Sequence, residues 1–250
     1  MNWKKILTIT ILPLMWLLYI LFELITGRIN DSETIIFNIA IMLLFALSGL
    51  IIYKIGNKNE SGLSFKNLSI AFIIFMVIDQ GIKIIIKFFY FDNYVVIIPK
   101  MLSFNPIINT NGSWLNARFG TGVSFPLLII LNIIALFLFV EIYRYYLYKN
   151  HKDFWADMCF TFIFSGALCS LIDKVFYGGS LDFIGISNLF IADIKDIYIN
   201  LGILFFVLTL FNGGYLKTDE DTTFKEDIQS MKKFIFFIKD DLSGKINVFL

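Results

Sequence analysis

The chain has 250 residues, of which 58% are hydrophobic and only 16% are charged. Runs of Leu, Ile and Phe long enough to cross a bilayer recur along it, which is typical of a polytopic membrane protein. The net charge of +1 gives no indication of a nucleic-acid partner, and we expect none. The chain has two cysteines, one histidine and no Cys-x-x-Cys pair, so we expect no metal, no other cofactor and no disulfide framework.

Six apolar segments predict six membrane-spanning helices. They cover approximately residues 6–25, 34–53, 67–89, 125–148, 155–177 and 194–215. The segment 90–124 lacks a long apolar run, is rich in aromatic residues, Gly and Asn, and alternates locally, which predicts a small β-element. The expected fold class is an all-α polytopic membrane protein with this extracytoplasmic β-element between helices three and four.

The distribution of lysine and arginine predicts the orientation in the membrane. If the N-terminus is inside, the inner segments hold most of the basic residues, which are Lys4, Lys5, Lys54, Lys58, Lys66, Arg144, Lys149 and Lys152. The outer loops then hold Arg28, Lys100 and Arg118. Because basic residues favour the cytoplasmic side, we expect both termini in the cytoplasm. In the tail, 216–250, an apolar patch at 234–238 indicates either an amphipathic segment on the inner leaflet or a solvated tail.

Four carboxylates lie within or beside the last two apolar segments, namely Asp173, Asp182, Asp193 and Asp196. An ionisable residue at membrane depth costs about 2.5–3.5 kcal/mol, so four in one region indicate a functional site. Two acids brought close together can share one proton, because both cannot ionise a few Å apart. This chemistry is that of an aspartic peptidase.

Two further polar groups of residues allow either a structural or a functional interpretation. Asp79 and Lys83 are spaced i, i+4 in an apolar helix, where they form an ion pair that is purely structural or that shapes a site. Asn109, Asn111 and Gly112 lie in a segment that forms either a turn-rich outer loop or a polar clamp for an extended peptide.

Small residues precede Asp173 in the fifth predicted helix. Ser165, Gly166, Cys169 and Ser170 form adjoining strips at helical spacing, which allows a neighbouring helix to approach closely. In the sixth helix, Asp193, Asp196 and Asn200 occupy one face, which we expect to point into the bundle or to water.

At these residues the chain resembles the lipoprotein signal peptidases (signal peptidase II), a family of intramembrane aspartic peptidases that trim bacterial prolipoproteins. The family's Asp-x-x-x-Lys motif matches Asp79 to Lys83, and its Asn-x-Gly motif is similar to 109–112 with one extra residue. Either Asn109 or Asn111 is therefore the counterpart of the motif asparagine. The family's Gly-Gly-Ala-x-Gly-Asn-x-x-Asp-Arg block resembles 165–174.

The last two blocks of the resemblance carry the catalytic aspartates of the family. Its Val-x-Asp-Phe is similar to 180–183 and its Phe-Asn-x-Ala-Asp to 189–193, which implies that Asp182 and Asp193 are catalytic. The resemblance and the charge pattern together give the supporting or substrate-binding residues. These are Asp79, Lys83, Asn109, Asn111, Gly112, Ser170, Asp173, Lys174 and Asp196. We expect Asp193 to be the base, because a position at the start of a helix favours a negative charge.

Three positions depart from the family pattern: Ser170 replaces an asparagine, Lys174 an arginine and Phe190 an asparagine. Lysine keeps the positive charge but lacks the bidentate geometry of arginine. The expected domains are two additional N-terminal transmembrane helices (1–66), a four-helix catalytic core like that of signal peptidase II (67–215), and a cytoplasmic tail (216–250).

The resemblance implies a monomeric enzyme of the bacterial cell (inner or cytoplasmic) membrane that removes the signal peptide from diacylglyceryl-modified prolipoproteins and contacts membrane lipids. Two alternatives stay open. The altered supporting residues also fit a non-catalytic relative that binds prolipoproteins. Buried acids also form the proton relays of proton-coupled transporters, although here they cluster near one face of the membrane.

Overall fold

A computed structural model describes residues 2–112, 114–215 and 224–246 of the chain. The α-helices in these residues are α1 (Trp3–Ile25), α2 (Ser32–Lys58), α3 (Phe65–Ile85), α4 (Trp114–Phe119), α5 (Phe125–Tyr148), α6 (Phe154–Tyr177), α7 (Ile194–Asn212) and α8 (Phe224–Leu242). A π-helical turn, Ile86–Tyr90, extends α3. Six of these helices are long and apolar enough to cross a membrane, namely α1, α2, α3 with its extension, α5, α6 and α7. The prediction of a polytopic helical membrane protein is therefore confirmed.

Five of the six apolar helices begin at residues whose side chains accept from free backbone N–H groups; α5 is the exception. Asp31 accepts from Thr34 at the start of α2, and Asp153 accepts from Trp155 and Ala156 at the start of α6. The other end of α6 is Gly178, whose φ of +67° is a left-handed conformation that glycine adopts without strain. This glycine directs the chain out of α6 toward the site.

A four-stranded antiparallel sheet lies outside the helices, in the order β1-β2-β3-β4. Its strands are β1 (Val95–Ile98), β2 (Leu102–Asn109), β3 (Ser180–Ile186) and β4 (Phe190–Ala192). The first two confirm the predicted β-element between helices three and four. The sequence predicted no strands between α6 and α7, where we expected a loop containing Gly178 and Gly179. That expectation is corrected, because β3 pairs with β2 and β4 pairs with β3 in this segment.

The pairing of β2 with β3 brings two distant segments together at the end of the sheet. Asn109 is opposite Ser180, and Ile107 is opposite Asp182. A Cβ at Gly179 would lie 2.8 Å from the carbonyl oxygen of Asn109, so the close approach of the two chains requires glycine. Asn109 and Asp182 therefore lie side by side.

Helices α6 and α7 form the core of the bundle. A Cβ at Gly166 would lie 2.9 Å from the side chain of Ile199, and one at Gly202 would lie 2.3 Å from that of Ile163. The predicted close approach of a helix at Gly166 is therefore confirmed. Aromatic side chains fill the space beside this contact: Phe162 stacks on Phe205 with ring centroids 5.5 Å apart.

The two N-terminal helices pack together and also contact the sheet. Ile20 and Ile29 form a buried cluster with Leu189, in the turn between β3 and β4. Trp16 donates from its indole N–H to Asn38, whose amide donates to Ser187 in the same turn. The contact brings α1 and α2 to the hairpin that carries the predicted aspartates.

Helix α8 lies in the segment for which the sequence left two alternatives open. It is amphipathic and contacts the end of α5, where the ring of Phe237 lies 5.0 Å from that of Tyr145. The Arg144 guanidinium donates to Asp241 at 2.7 and 2.6 Å, which ties the two helices together. Residues 216–223 and 247–250 of the tail lie outside the described residues.

Candidate active site

Lys83 is the centre of a group of buried charges that joins three helices. Its Nζ lies 2.8 Å from Asp79 Oδ2, 2.7 Å from Asp173 Oδ2 and 2.6 Å from Asp193 Oδ2. All four side chains are fully buried. The predicted Asp79–Lys83 pair is thus present, but it is one part of a larger site rather than an isolated ion pair.

Asp79 also fixes the start of α7. Its Oδ1 accepts the backbone N–H of Lys195 at 3.0 Å, while Gln80 donates to Asp79 at 2.9 Å and to Asp173 at 3.1 Å. Gln80 was not predicted, because one glutamine beside a charged pair carries no sequence signal of its own. These bonds satisfy the carboxylates that Lys83 leaves partly free, as buried charges require.

Asp193 is the N-cap of α7, and Asp196 closes a capping box with it. The backbone N–H of Asp196 donates to Asp193 at 3.3 Å, and that of Asp193 donates to Asp196 at 3.1 Å. Asp196 therefore orients Asp193. Asn200, which we placed on the same face, is exposed and donates to the carbonyl oxygen of Asp196.

Asp182 lies on β3 and is 4% exposed. Asn109 donates from its side-chain amide to Asp182 Oδ2 at 3.0 Å, and the Ser180 hydroxyl donates to Oδ1. Of the two asparagines that the sequence left open, Asn109 is therefore the one at the aspartate. Asn111 donates its backbone N–H to the Asn109 amide oxygen at 3.1 Å, which orients that amide.

Gly112 completes this turn. Its φ is +70°, and an added Cβ would lie 2.8 Å from the Leu128 side chain. A larger residue would meet both a strained backbone and a steric clash. Gly112 therefore shapes the turn that leads away from Asn109.

The two predicted catalytic aspartates are neighbours. One carboxylate oxygen from each of Asp182, Asp193 and Asp196 lies within 4.8 Å of the others. Lys195, which we did not predict, reaches the same place: its Nζ contacts Asp193 and Ser180 and lies 3.7 Å from Asp182 Oδ1. A lysine in the first turn of a helix is indistinguishable in sequence from an interfacial charge, so only the fold shows where it points.

The surroundings affect the two aspartates in opposite directions. Burial raises the pKa of Asp182 above its usual value, against the opposing effects of Lys195 and the Ser180 hydroxyl. Burial also opposes ionisation of Asp193, but Lys195 and Lys83 outweigh it and lower the pKa of that carboxyl. Two acids whose environments separate their pKa values are suited to one acid and one base role.

The three departures from the family pattern have partners in this structure. Lys174 donates to the Ser170 hydroxyl at 2.5 Å, so within the described residues it bonds to its own helix rather than to a carboxylate. The ring of Phe190 meets those of Trp16 and Tyr19 edge-on, with centroids 6.1 and 5.3 Å apart. Phe190 thus belongs to the contact with α1.

Comparisons with known proteins identify the family of this chain. The family model described as Signal peptidase (SPase) II matches residues 70–212, which is more than half of the chain. The lipoprotein signal peptidase of Microcystis aeruginosa (strain NIES-843 / IAM M-2473) is 25% identical over 146 residues, 57% of this chain and 90% of that protein. A solved structure of a bacterial membrane enzyme, determined by the in meso method, superposes with a TM-score of 0.50 at 22% identity, covering 66% of this chain and 99% of that one. The chain therefore belongs to the signal peptidase II family.

Proposed function

We propose that this protein is an intramembrane aspartic endopeptidase that removes the signal peptide from lipid-modified prolipoproteins, with Asp182 and Asp193 as its catalytic pair. The observation that carries the proposal is the meeting of these two buried carboxylates, each held by different partners. Family membership supplies the reaction class, a signal peptidase. The two aspartates supply the acid and the base that the hydrolysis of a peptide bond needs.

In this mechanism Asp193 is the base and Asp182 the acid. The ionised Asp193 takes a proton from water as the water oxygen attacks the scissile carbonyl carbon, and protonated Asp182 donates to the carbonyl oxygen. Collapse of the resulting gem-diol returns that proton to Asp182 and passes the proton on Asp193 to the leaving amine. The C–N bond breaks, and both carboxyls regain their starting states.

Two features support these roles. Asp193 contacts two ammonium groups, those of Lys83 and Lys195, which favours its ionised form. Asp182 receives neutral donors from Asn109 and Ser180, and the Lys195 ammonium lies farther from it, 3.7 Å from Oδ1. A proton is therefore held more readily on Asp182.

The proposed substrate reaches the site from the membrane. The transmembrane helices expose many large apolar side chains, which suit contact with lipid. The diacylglyceryl chains of a precursor would stay in lipid beside the bundle while the peptide reaches the sheet end at Asn109. We propose further that the enzyme acts as a monomer in the bacterial cell membrane, with both termini in the cytoplasm.

A cleavage assay tests the proposal. Purified protein in lipid nanodiscs is incubated with a synthetic precursor peptide whose cysteine carries a diacylglyceryl group, and products are identified by mass spectrometry. We expect cleavage on the N-terminal side of that cysteine, and much slower cleavage of the same peptide without lipid. Binding of the lipidated peptide without cleavage would indicate a non-catalytic relative, and proton flux in vesicles without cleavage would indicate a transporter.

A further inference from the structure

Lys195 carries a positive charge into direct contact with the proposed catalytic pair. Its Nζ contacts Asp193 Oδ2 and the Ser180 hydroxyl, lies 3.2 Å from Asp173 Oδ2 and lies 3.7 Å from Asp182 Oδ1. The residue is 5% exposed, so water and salt screen its charge weakly. None of the family motifs matched above includes this position.

Charged groups surround Lys195 from every element packed against it. They are Asp193 and Asp196 at the start of α7, Asp182 on β3, Asp173 and Lys174 on α6, and Asp79 and Lys83 on α3. Five carboxylates thus meet three ammonium groups. Lys83 is held by Asp79, Asp173 and Asp193, and Lys174 by Ser170, so Lys195 is the cation that acts on Asp182.

We propose that Lys195 is a positioning residue, the counter-ion that sets the pH range in which the Asp182–Asp193 pair holds a single proton. This inference rests on the proposed function of that pair. An opposite charge close to a carboxylate stabilises the ionised form and lowers the pKa by about 1–3 units. The pair loses its two protons in two steps, and Lys195 moves both steps to lower pH. Without this lysine, the buried pair would still hold both protons in that pH range.

The pH dependence of kcat/KM tests this role. The profile has an acidic limb and a basic limb, one for each proton of the pair. We expect both limbs to shift to higher pH by about one unit or more in Lys195→Met and in Lys195→Gln, because each substitution removes the positive charge. Lys195→Gln can still donate to Ser180, so it replaces the Met variant if that protein does not fold. Lys195→Arg should return both limbs toward their wild-type positions.

Lys87→Met is the matched control. Lys87 lies in the π-helical turn that extends α3, at the same end of the bundle as Lys195. Its ammonium lies 4.5 Å from the centre of the Tyr177 ring rather than at the aspartates. Its removal should leave both limbs of the profile in place. If the pH profiles of Lys87→Met and Lys195→Met shift equally, the shift is a general effect of losing a lysine from this end of the bundle, and the inference is overturned.

A direct titration separates this inference from the proposed function. Aspartate carboxyl carbons labelled with 13C are followed by NMR across pH in purified protein, and Asp182→Asn and Asp193→Asn assign the two signals. If titration of the pair moves up in Lys195→Gln although wild-type protein cleaves nothing, the inference stands and the proposed function falls. Unchanged titration in Lys195→Gln, or cleavage with unmoved limbs, would overturn the inference.

Discussion

At the scale of single residues, the two proposed catalytic aspartates differ in how they are held. Asp193 is fixed by the cap of α7 and by two lysines, whereas Asp182 is fixed by the sheet and the Asn109 amide. The α7 cap and the Asn109 amide are separate supports, and Lys195 lies between the two carboxyls. We therefore expect a change of one carboxyl to leave the other in place. The pair can therefore be dissected by substitution.

We expect Asp182→Asn and Asp193→Asn each to abolish cleavage while the protein remains folded and inserted. Asparagine keeps nearly the same shape but cannot exchange the proton that the mechanism needs. Both residues act in one proton-sharing unit, so the double variant should be little worse than either single one. Rates from purified variants in the nanodisc assay provide the measurement, and substantial turnover by either single variant would exclude the dyad.

Lys174 tests whether a lysine that replaces the family's arginine still contributes. It is half-buried and donates to Ser170, whereas Lys87 is exposed and rests on a tyrosine ring. We expect Lys174→Ala to lower the free energy of unfolding by about 1 kcal/mol more than Lys87→Ala does, since a charged hydrogen bond is lost. Thermal unfolding in detergent measures the difference, and equal values would mean that Lys174 is only an interfacial charge.

At the scale of elements, α1, α2 and the loop between them contact the β3–β4 hairpin next to the site. Arg28, in the loop between them, donates to the carbonyl oxygen of Leu189 in the β3–β4 turn. Glu23 is fully buried, and its carboxylate lies 3.3 Å from Arg28 and 3.3 Å from Arg118 of α4. A single carboxylate thus links α1, the α1–α2 loop and α4.

We expect Glu23→Gln to destabilise the protein by about 1.5–3 kcal/mol and to lower the cleavage rate, because both arginines lose their ionised partner. Glu60→Gln is the matched control. Glu60 also pairs with a basic residue at 3.3 Å, Lys4, but it is 62% exposed, and exposed pairs contribute about 0–1 kcal/mol. Unfolding temperatures and rates are compared for the two variants, and equal effects would contradict a bracing role for the N-terminal helices.

The elements also show what sequence patterns could reveal about this fold. Apolar runs predicted all six spans, and the boundaries of α5 matched those predicted. Acids within or beside apolar segments identified Asp173, Asp182, Asp193 and Asp196 as one group, and helical spacing identified the separate Asp79–Lys83 pair. These are local signals, read within a single segment.

Non-local contacts were the part that could not be predicted. Pairing of β2 with β3 joins residues more than seventy positions apart, as Asn109 and Ser180 show, and no local pattern specifies such a partner. The same holds for Lys195 and Gln80, whose side chains become site residues only because α3, α6 and α7 converge. Phe190 looked like a loss of the family's asparagine, but α1 supplies the contact that makes it a packing residue.

At the scale of the whole molecule, the site lies at one end of the bundle and α8 at the other. The site is built where α6 ends and α7 begins, while α8 contacts Tyr145 and Tyr148 at the end of α5. The exposed side of α8 includes Ile235 and Phe236, and lysines are interspersed along the helix. An amphipathic helix of this kind suits a membrane surface.

We expect the end of the bundle that carries α8 to face the cytoplasm and the site to face outward. Single cysteines at position 58 and at position 92 test this orientation, because α3 crosses the membrane between them. Lys58→Cys and Asp92→Cys both change exposed residues, in a background where the buried Cys159 and Cys169 are replaced by alanine. In intact cells, a membrane-impermeant maleimide should label position 92, whereas position 58 should be labelled only after permeabilisation, because most lysines and arginines lie at the end of the bundle that carries position 58. The reverse labelling would put the catalytic pair on the cytoplasmic side and contradict the proposed processing of exported precursors.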